Sequence, residues 1–78
     1  MSQLPVIKRR LVDKLLVRLG FEKVSQSRSH TYYRHEDGRV TTLPSPRGRK
    51  LAPPLVKEIL KEIDLEKEEF IQMIGGEA

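Results

Sequence analysis

Between Pro5 and Leu19 the apolar residues fall at Val6, Ile7, Leu11, Val12, Leu15, Leu16 and Leu19. Steps of four, one, three and one trace a single stripe along a helix, so the pattern predicts a helix over 5–19. Pro5 suits its first turn and Gly20 the position just past its end. After Gly20 the period changes. "FEKVSQ" reads as a strand with Phe21 and Val24 as its apolar positions, and "HTYYRH" is rich in residues that favour pleated structure. Asp37-Gly38 is the dipeptide that most readily fills two left-handed positions of a tight hairpin, and "RVTTL" then returns as a third strand. The turn joining the first two strands is expected around Gln26 to Ser29.

"PSPRGRK" makes a basic loop, stiffened by proline. Pro53-Pro54 opens a second helix whose stripe is Leu55, Val56, Ile59, Leu60 and Ile63. Asp64 is placed to cap a short terminal helix over about 65–74, with Glu66 near the positive end of its dipole. Phe70, Ile71 and Ile74 give that helix a face to bury, and Gly75-Gly76 ends it. The order predicts one α+β domain over 1–78, arranged α-β-β-β-α(-α). Its three-stranded antiparallel sheet is covered on one face by helices. This is the layout of a double-stranded-RNA-binding domain. Layout alone does not assign a function.

Composition narrows the field. There is no cysteine, which excludes disulfides, thiolate zinc sites and a cysteine nucleophile. No apolar run reaches the ~20 residues of a membrane span, and charge interrupts the N-terminal stretch where a signal peptide would need an apolar run. A cytoplasmic protein without a membrane partner is expected. Charge is unevenly spread. Residues 1–50 hold 12 Lys/Arg against 4 Asp/Glu, and residues 51–78 hold 3 Lys against 7 Asp/Glu. A cationic half fits a polyanion, and equally a solvated mixed surface. Arg10, Lys14 and Arg18 recur every four residues opposite the apolar stripe. That ridge is either the wet side of the helix or a track for phosphates.

The chemistry concentrates in "SRSHTYYRHEDGR" (27–39), which holds both histidines, both tyrosines and three arginines. Strand alternation puts His30, Tyr32 and Arg34 on one face and Thr31, Tyr33 and His35 on the other. His30 and His35 therefore diverge, and His35 reads as a surface residue beside the turn. One tyrosine belongs under the helices. The other belongs on the open face, where bases can stack.

Taken together, "LGFEKV", "SHTYYRHEDGRV", "GRKL" and "ILKEIDL" resemble the HicA (YcfA-like) toxin family of toxin–antitoxin pairs, from about Pro5 to Phe70. Gly20-Phe21, Ser29-His30, Asp37-Gly38, Pro44, Leu51 and Ile59-Leu60-Lys61 fall on the family's motif positions. The resemblance implies a small ribonuclease, an mRNA interferase, that cleaves messenger or single-stranded RNA. It also implies silencing by a HicB-like antitoxin, no metal or other cofactor, and one working histidine, here His30. Matching to the family pattern puts Tyr32 at the inward position, with His30 leaving that face at the frayed start of its strand.

Metal-free RNA cleavage needs a base for the 2′-OH, an acid for the 5′-oxygen and cations around the phosphorane. Histidine can serve either proton role near neutral pH. Arg28, Arg34, Arg47, Arg49 and Lys50 are the available cations, and Ser29 flanks the histidine. Two positions depart from the family. Arg28 replaces the glycine before Ser-His, and Pro46 replaces a second histidine. Three classes stay open: a metal-independent endoribonuclease, an RNA-binding module of the same fold that has lost cleavage, and a domain whose cationic face meets only an acidic protein.

Overall fold

The computed structural model describes residues 4–44 and 50–75. Its elements are β1 (Ile7–Lys8), α1 (Arg9–Arg18), β2 (Glu22–Gln26), β3 (His30–Arg34), β4 (Val40–Pro44), β5 (Lys50–Leu51), α2 (Pro53–Ile63) and α3 (Lys67–Gly75). Strands β2, β3 and β4 form an antiparallel sheet in that order, while β1 and β5 pair in a separate two-stranded ladder. The fold is the expected α+β arrangement. The β1–β5 ladder is an addition to it.

That ladder corrects the start of the first helix. Ile7 pairs with Leu51 and Lys8 with Lys50, so the chain is extended where an unbroken helical stripe was expected. Both Ile7 and Leu51 are buried. A long-range strand pair has claimed residues whose local spacing fits a helix equally well.

Helix α1 ends as its sequence dictates. Gly20 takes a positive φ of 99°, and its N–H bonds to the Val17 carbonyl while the Phe21 N–H bonds to the Leu16 carbonyl. This paired closure satisfies the last carbonyls of the helix. Helix α2 begins at Pro53-Pro54, where the missing N–H groups leave no helical bond unmade. It ends in the same closure as α1, with the Asp64 N–H on Lys61 and the Leu65 N–H on Leu60. Asp64, expected to cap the following helix, instead ends α2 in the left-handed conformation at φ 57°. A short polar side chain tolerates that conformation better than most.

The hairpin also departs from its expected form. The Gly38 N–H bonds to the His35 carbonyl, and the His35 N–H bonds to the Arg39 carbonyl. Gly38 has φ 102°, and Asp37 has no positive φ. A three-residue loop with one left-handed position replaces the two-residue turn. Between β2 and β3 the register slips at Val24, where a bulge interrupts the ladder. Strand β2 is exposed along its whole length. A bulged edge of this kind discourages pairing with another chain.

The core lies between the sheet and the helices. Val12, Leu15 and Leu16 of α1 join Val56, Ile59, Leu60 and Ile63 of α2, with Phe70 and Ile74 of α3. From the sheet come Tyr33 and Leu43, with Thr31 and Thr41 buried beside them. Tyr33 is 1 % exposed and Tyr32 40 %. The inward tyrosine is therefore Tyr33, against the expectation drawn from the family pattern. The cause is visible in the bonding: the Tyr33 hydroxyl donates to the Asp13 carboxylate on α1. A phenol can be buried once its hydroxyl has such a partner. No helix among the described residues is long and apolar enough to cross a membrane.

Candidate functional site

His30 opens β3, and the turn before it is tied by Ser27. The Ser27 hydroxyl accepts the N–H of His30 at 3.1 Å and of Ser29 at 3.3 Å, while the Ser27 N–H bonds to the His30 carbonyl at 2.8 Å. Serine is suited to this work because its short side chain reaches the backbone of the next turn residues. Ser29, the serine that flanks the histidine, does not set this turn. The residue that shapes the turn is Ser27, and a hydroxyl three positions before the strand start is the signal that marks it.

Directly across the ladder from His30 stands Pro44. Behind both lies Arg9, only 6 % exposed. Its Nη2 donates to the Thr31 hydroxyl at 2.9 Å, and its Nε donates to the Pro44 carbonyl. One guanidinium thus braces the residue after His30 and the residue opposite it. Nothing in the local sequence separates Arg9 from the exposed Arg10. Only the fold places it at the first turn of α1 against the ends of β3 and β4.

On the outer face His30, Tyr32 and Arg34 are all exposed, alternating with buried Thr31 and Tyr33. The His30 and Tyr32 rings lie 6.3 Å apart at 37°. His30 therefore shares the open face with Tyr32 and Arg34, and the strand alternation suffices to put it there. Beside it, between the strand ends and α2, runs a groove of about 360 Å³. His30, Thr42 and Pro44 line it from the sheet, and Leu55, Glu58, Ile59 and Glu62 from α2. Glu62 accepts a hydrogen bond from the buried Thr41 hydroxyl at 2.7 Å. Two carboxylates of the acidic stretch beyond residue 50 thus reach the groove that His30 lines.

The expected cations divide. Arg28 and Ser29 are exposed in the turn that leads to His30, and Arg34 is exposed at the far end of the same strand. Lys50 is exposed too, but it belongs to the β1–β5 ladder, opposite Lys8. Arg47, Arg49 and Pro46 lie outside the described residues. Among the described residues no three histidine, aspartate or glutamate side chains group closely enough to hold a metal ion.

His35 is a clasp, a correction to its reading as a surface turn residue. Its side chain is 18 % exposed. Nδ1 accepts the Asp37 N–H at 3.1 Å, which leaves the proton on Nε2, 3.2 Å from the Leu19 carbonyl. The ring edge meets Phe21 at 5.1 Å, and the Arg39 guanidinium covers the same ring at 5.2 Å. Arg39 also donates to the Ile63 carbonyl at the end of α2. Asp37 is held below the usual carboxylate range, first by the Arg39 N–H and then by the Arg39 charge. The hairpin tip thereby ties the ends of both long helices, and His35 is committed to that structure.

Residues 9–65 match the family model described as the HicA toxin of bacterial toxin–antitoxin systems. The chain belongs to the HicA toxin family. The match begins at Arg9 and covers the sheet, the His30 turn and α2, so every element that lines the His30 groove falls within the HicA span. HicA membership makes the protein a toxin of a toxin–antitoxin system with an antitoxin as its partner. A comparison with curated proteins finds no match.

Proposed function

We propose that this HicA-family toxin is a metal-independent endoribonuclease that cleaves messenger RNA, with His30 moving the proton. The observation that carries this reading is the exposure of His30 on the outer face of β3, beside the Tyr32 ring and in line with Arg34. A histidine committed to the core would be buried and bonded, as His35 largely is. In the reaction His30 takes the 2′-OH proton, O2′ bonds to phosphorus, the P–O5′ bond breaks and the leaving 5′-oxygen takes that proton from the protonated His30. Arg28 and Arg34 are the nearest cations along the chain, suited to the charge that develops on the phosphoryl oxygens. A HicB-like antitoxin would silence the toxin by covering this face with carboxylates.

Incubating the purified protein with RNA in EDTA tests the reading. Cutting should persist, and His30→Gln should lower its rate by at least ~10²-fold while RNA affinity stays close to the parent's. A His30→Gln protein that cuts as well as the parent would remove His30 from the chemistry. Binding without cutting by the parent would favour the RNA-binding module instead, with Arg28 and Pro46 as the departures behind the loss.

A further inference from the structure

We propose that the groove between β4 and α2 is a subsite for one unpaired nucleobase that presents adjacent N–H donors, guanine above all. The choice of RNA as ligand rests on the ribonuclease reading above. The base preference rests on the groove alone. Its volume, about 360 Å³, lies at the lower end of the range of small-molecule sites. Its walls are of two kinds. Pro44 and Leu55 offer apolar surface for a flat ring, with the buried Ile59 beneath them. Glu58 and Glu62 offer carboxylates, which accept hydrogen bonds and donate none at neutral pH.

That combination rejects a phosphate and selects among bases. A phosphate brought beside two carboxylates would meet like charge, so the backbone belongs on the Arg28–Arg34 side of His30. The base edge is what remains to enter. Guanine presents N1–H and the N2 amino group side by side, a pair that one carboxylate can accept in two parallel bonds. Adenine and cytosine present an amino group beside a ring nitrogen that itself needs a donor. Uracil flanks its one N–H with two carbonyls, which the carboxylates repel. Bases in single-stranded RNA are free to splay out and be read in this way.

Two further features fit a recognition role. Glu58 and Glu62 lie one turn apart on α2, a like-charge spacing that works against the helix. Glu62 is also held in place by the Thr41 hydroxyl, which occupies one lone pair of one oxygen and leaves both oxygens able to accept a further bond. A carboxylate fixed by a buried partner is a prepared acceptor rather than a mobile surface charge.

Short 2′-fluoro oligouridines, which cannot be cut, are the probe, with and without one guanosine in the middle. Fluorescence anisotropy should show the guanosine oligomer binding about tenfold more tightly than oligouridine alone. Glu58→Gln and Glu62→Gln together should bring the ratio close to one. They should also raise the affinity for oligouridine, because negative charge has been removed near the backbone. Glutamine keeps an acceptor for Thr41 and relieves the Glu58–Glu62 repulsion, so melting should hold or rise slightly. A parent ratio near one overturns the subsite, and so does a ratio that survives both substitutions while overall affinity rises, which would be a pure charge effect. Guanosine preference in a protein that does not cut ordinary RNA would uphold the subsite and sink the ribonuclease reading. Cutting without base preference does the reverse.

Discussion

Single residues show where local pattern stops deciding the structure. Alternation along β3 told which side chains share a face, and it did so correctly for His30, Tyr32 and Arg34. It could not tell which face is buried, because both faces hold a tyrosine. Asp13 decides this from a different element by receiving the Tyr33 hydroxyl. Burial, and then the bond to Asp13, raise the Tyr33 pKa above the ordinary tyrosine value. The consequence for stability has a definite sign. In the unfolded chain the phenol ionises near ~10, whereas in the fold it stays protonated to higher pH. The stabilisation is therefore complete below ~10 and is lost as pH rises through the folded-state value. Tyr33→Phe should cost about 1 kcal/mol at neutral pH, the worth of one hydrogen bond. It should also flatten the alkaline limb of the stability curve, which urea titrations at rising pH would measure. An unchanged alkaline limb would show that Tyr33 is not the group responsible. Asp13 keeps Lys23 3.5 Å away in the variant, which limits the penalty on its carboxylate.

Among the elements, those closed by short-range signals were legible and those made by distant pairing were not. Pro53-Pro54 and Gly20 mark helix ends because proline and glycine act through their own backbone geometry. The β1–β5 ladder left no such mark, since Ile7 and Leu51 lie far apart in sequence, with α1 and the whole three-stranded sheet between them. Arg9 and His35 were missed for the same reason. Each is defined by the carbonyl it reaches on another element, Pro44 for one and Leu19 for the other. The α1–hairpin joint offers a test at this scale. A Cβ added at Gly20 would lie 3.1 Å from His35 Nε2, and the residue also holds φ 99°. Gly20→Ala should then destabilise by more than the roughly 1–2 kcal/mol of a left-handed alanine. Part of that excess should vanish in a His35→Ala background, where the ring is gone. Thermal or urea unfolding of the two single variants and the double would read the coupling. Additive losses would mean that the His35 ring yields freely and the joint is looser than its contacts indicate.

For the whole molecule the proposed ribonuclease reading asks where RNA would lie across a charge distribution that is basic through residue 50 and acidic beyond it. The helices cover one face of the sheet, and the open face carries His30, Tyr32 and Arg34, with Arg28 in the adjoining turn. The α1 ridge faces elsewhere: Arg10 is exposed on the helical layer, on the other side of the sheet. Net charge alone would let a polyanion use either surface. If RNA follows the open face, each phosphate contact there releases counterions, and the salt dependence of binding counts those contacts. Neutralising Arg28 and Arg34 together should lower the slope of log K against log salt by about 0.7–1 per contact, for all RNA sequences alike. Neutralising Arg10 should leave that slope where it was. Lys50 distinguishes a narrow track from a wide one, because it sits on the β1–β5 ladder rather than on the His30 sheet. A slope that falls with Lys50→Gln as well would extend the RNA path from the open face to that ladder. A slope that responds to Arg10 and ignores Arg28 and Arg34 would move the RNA to the helical layer, away from His30, and the proposed chemistry would lose its substrate.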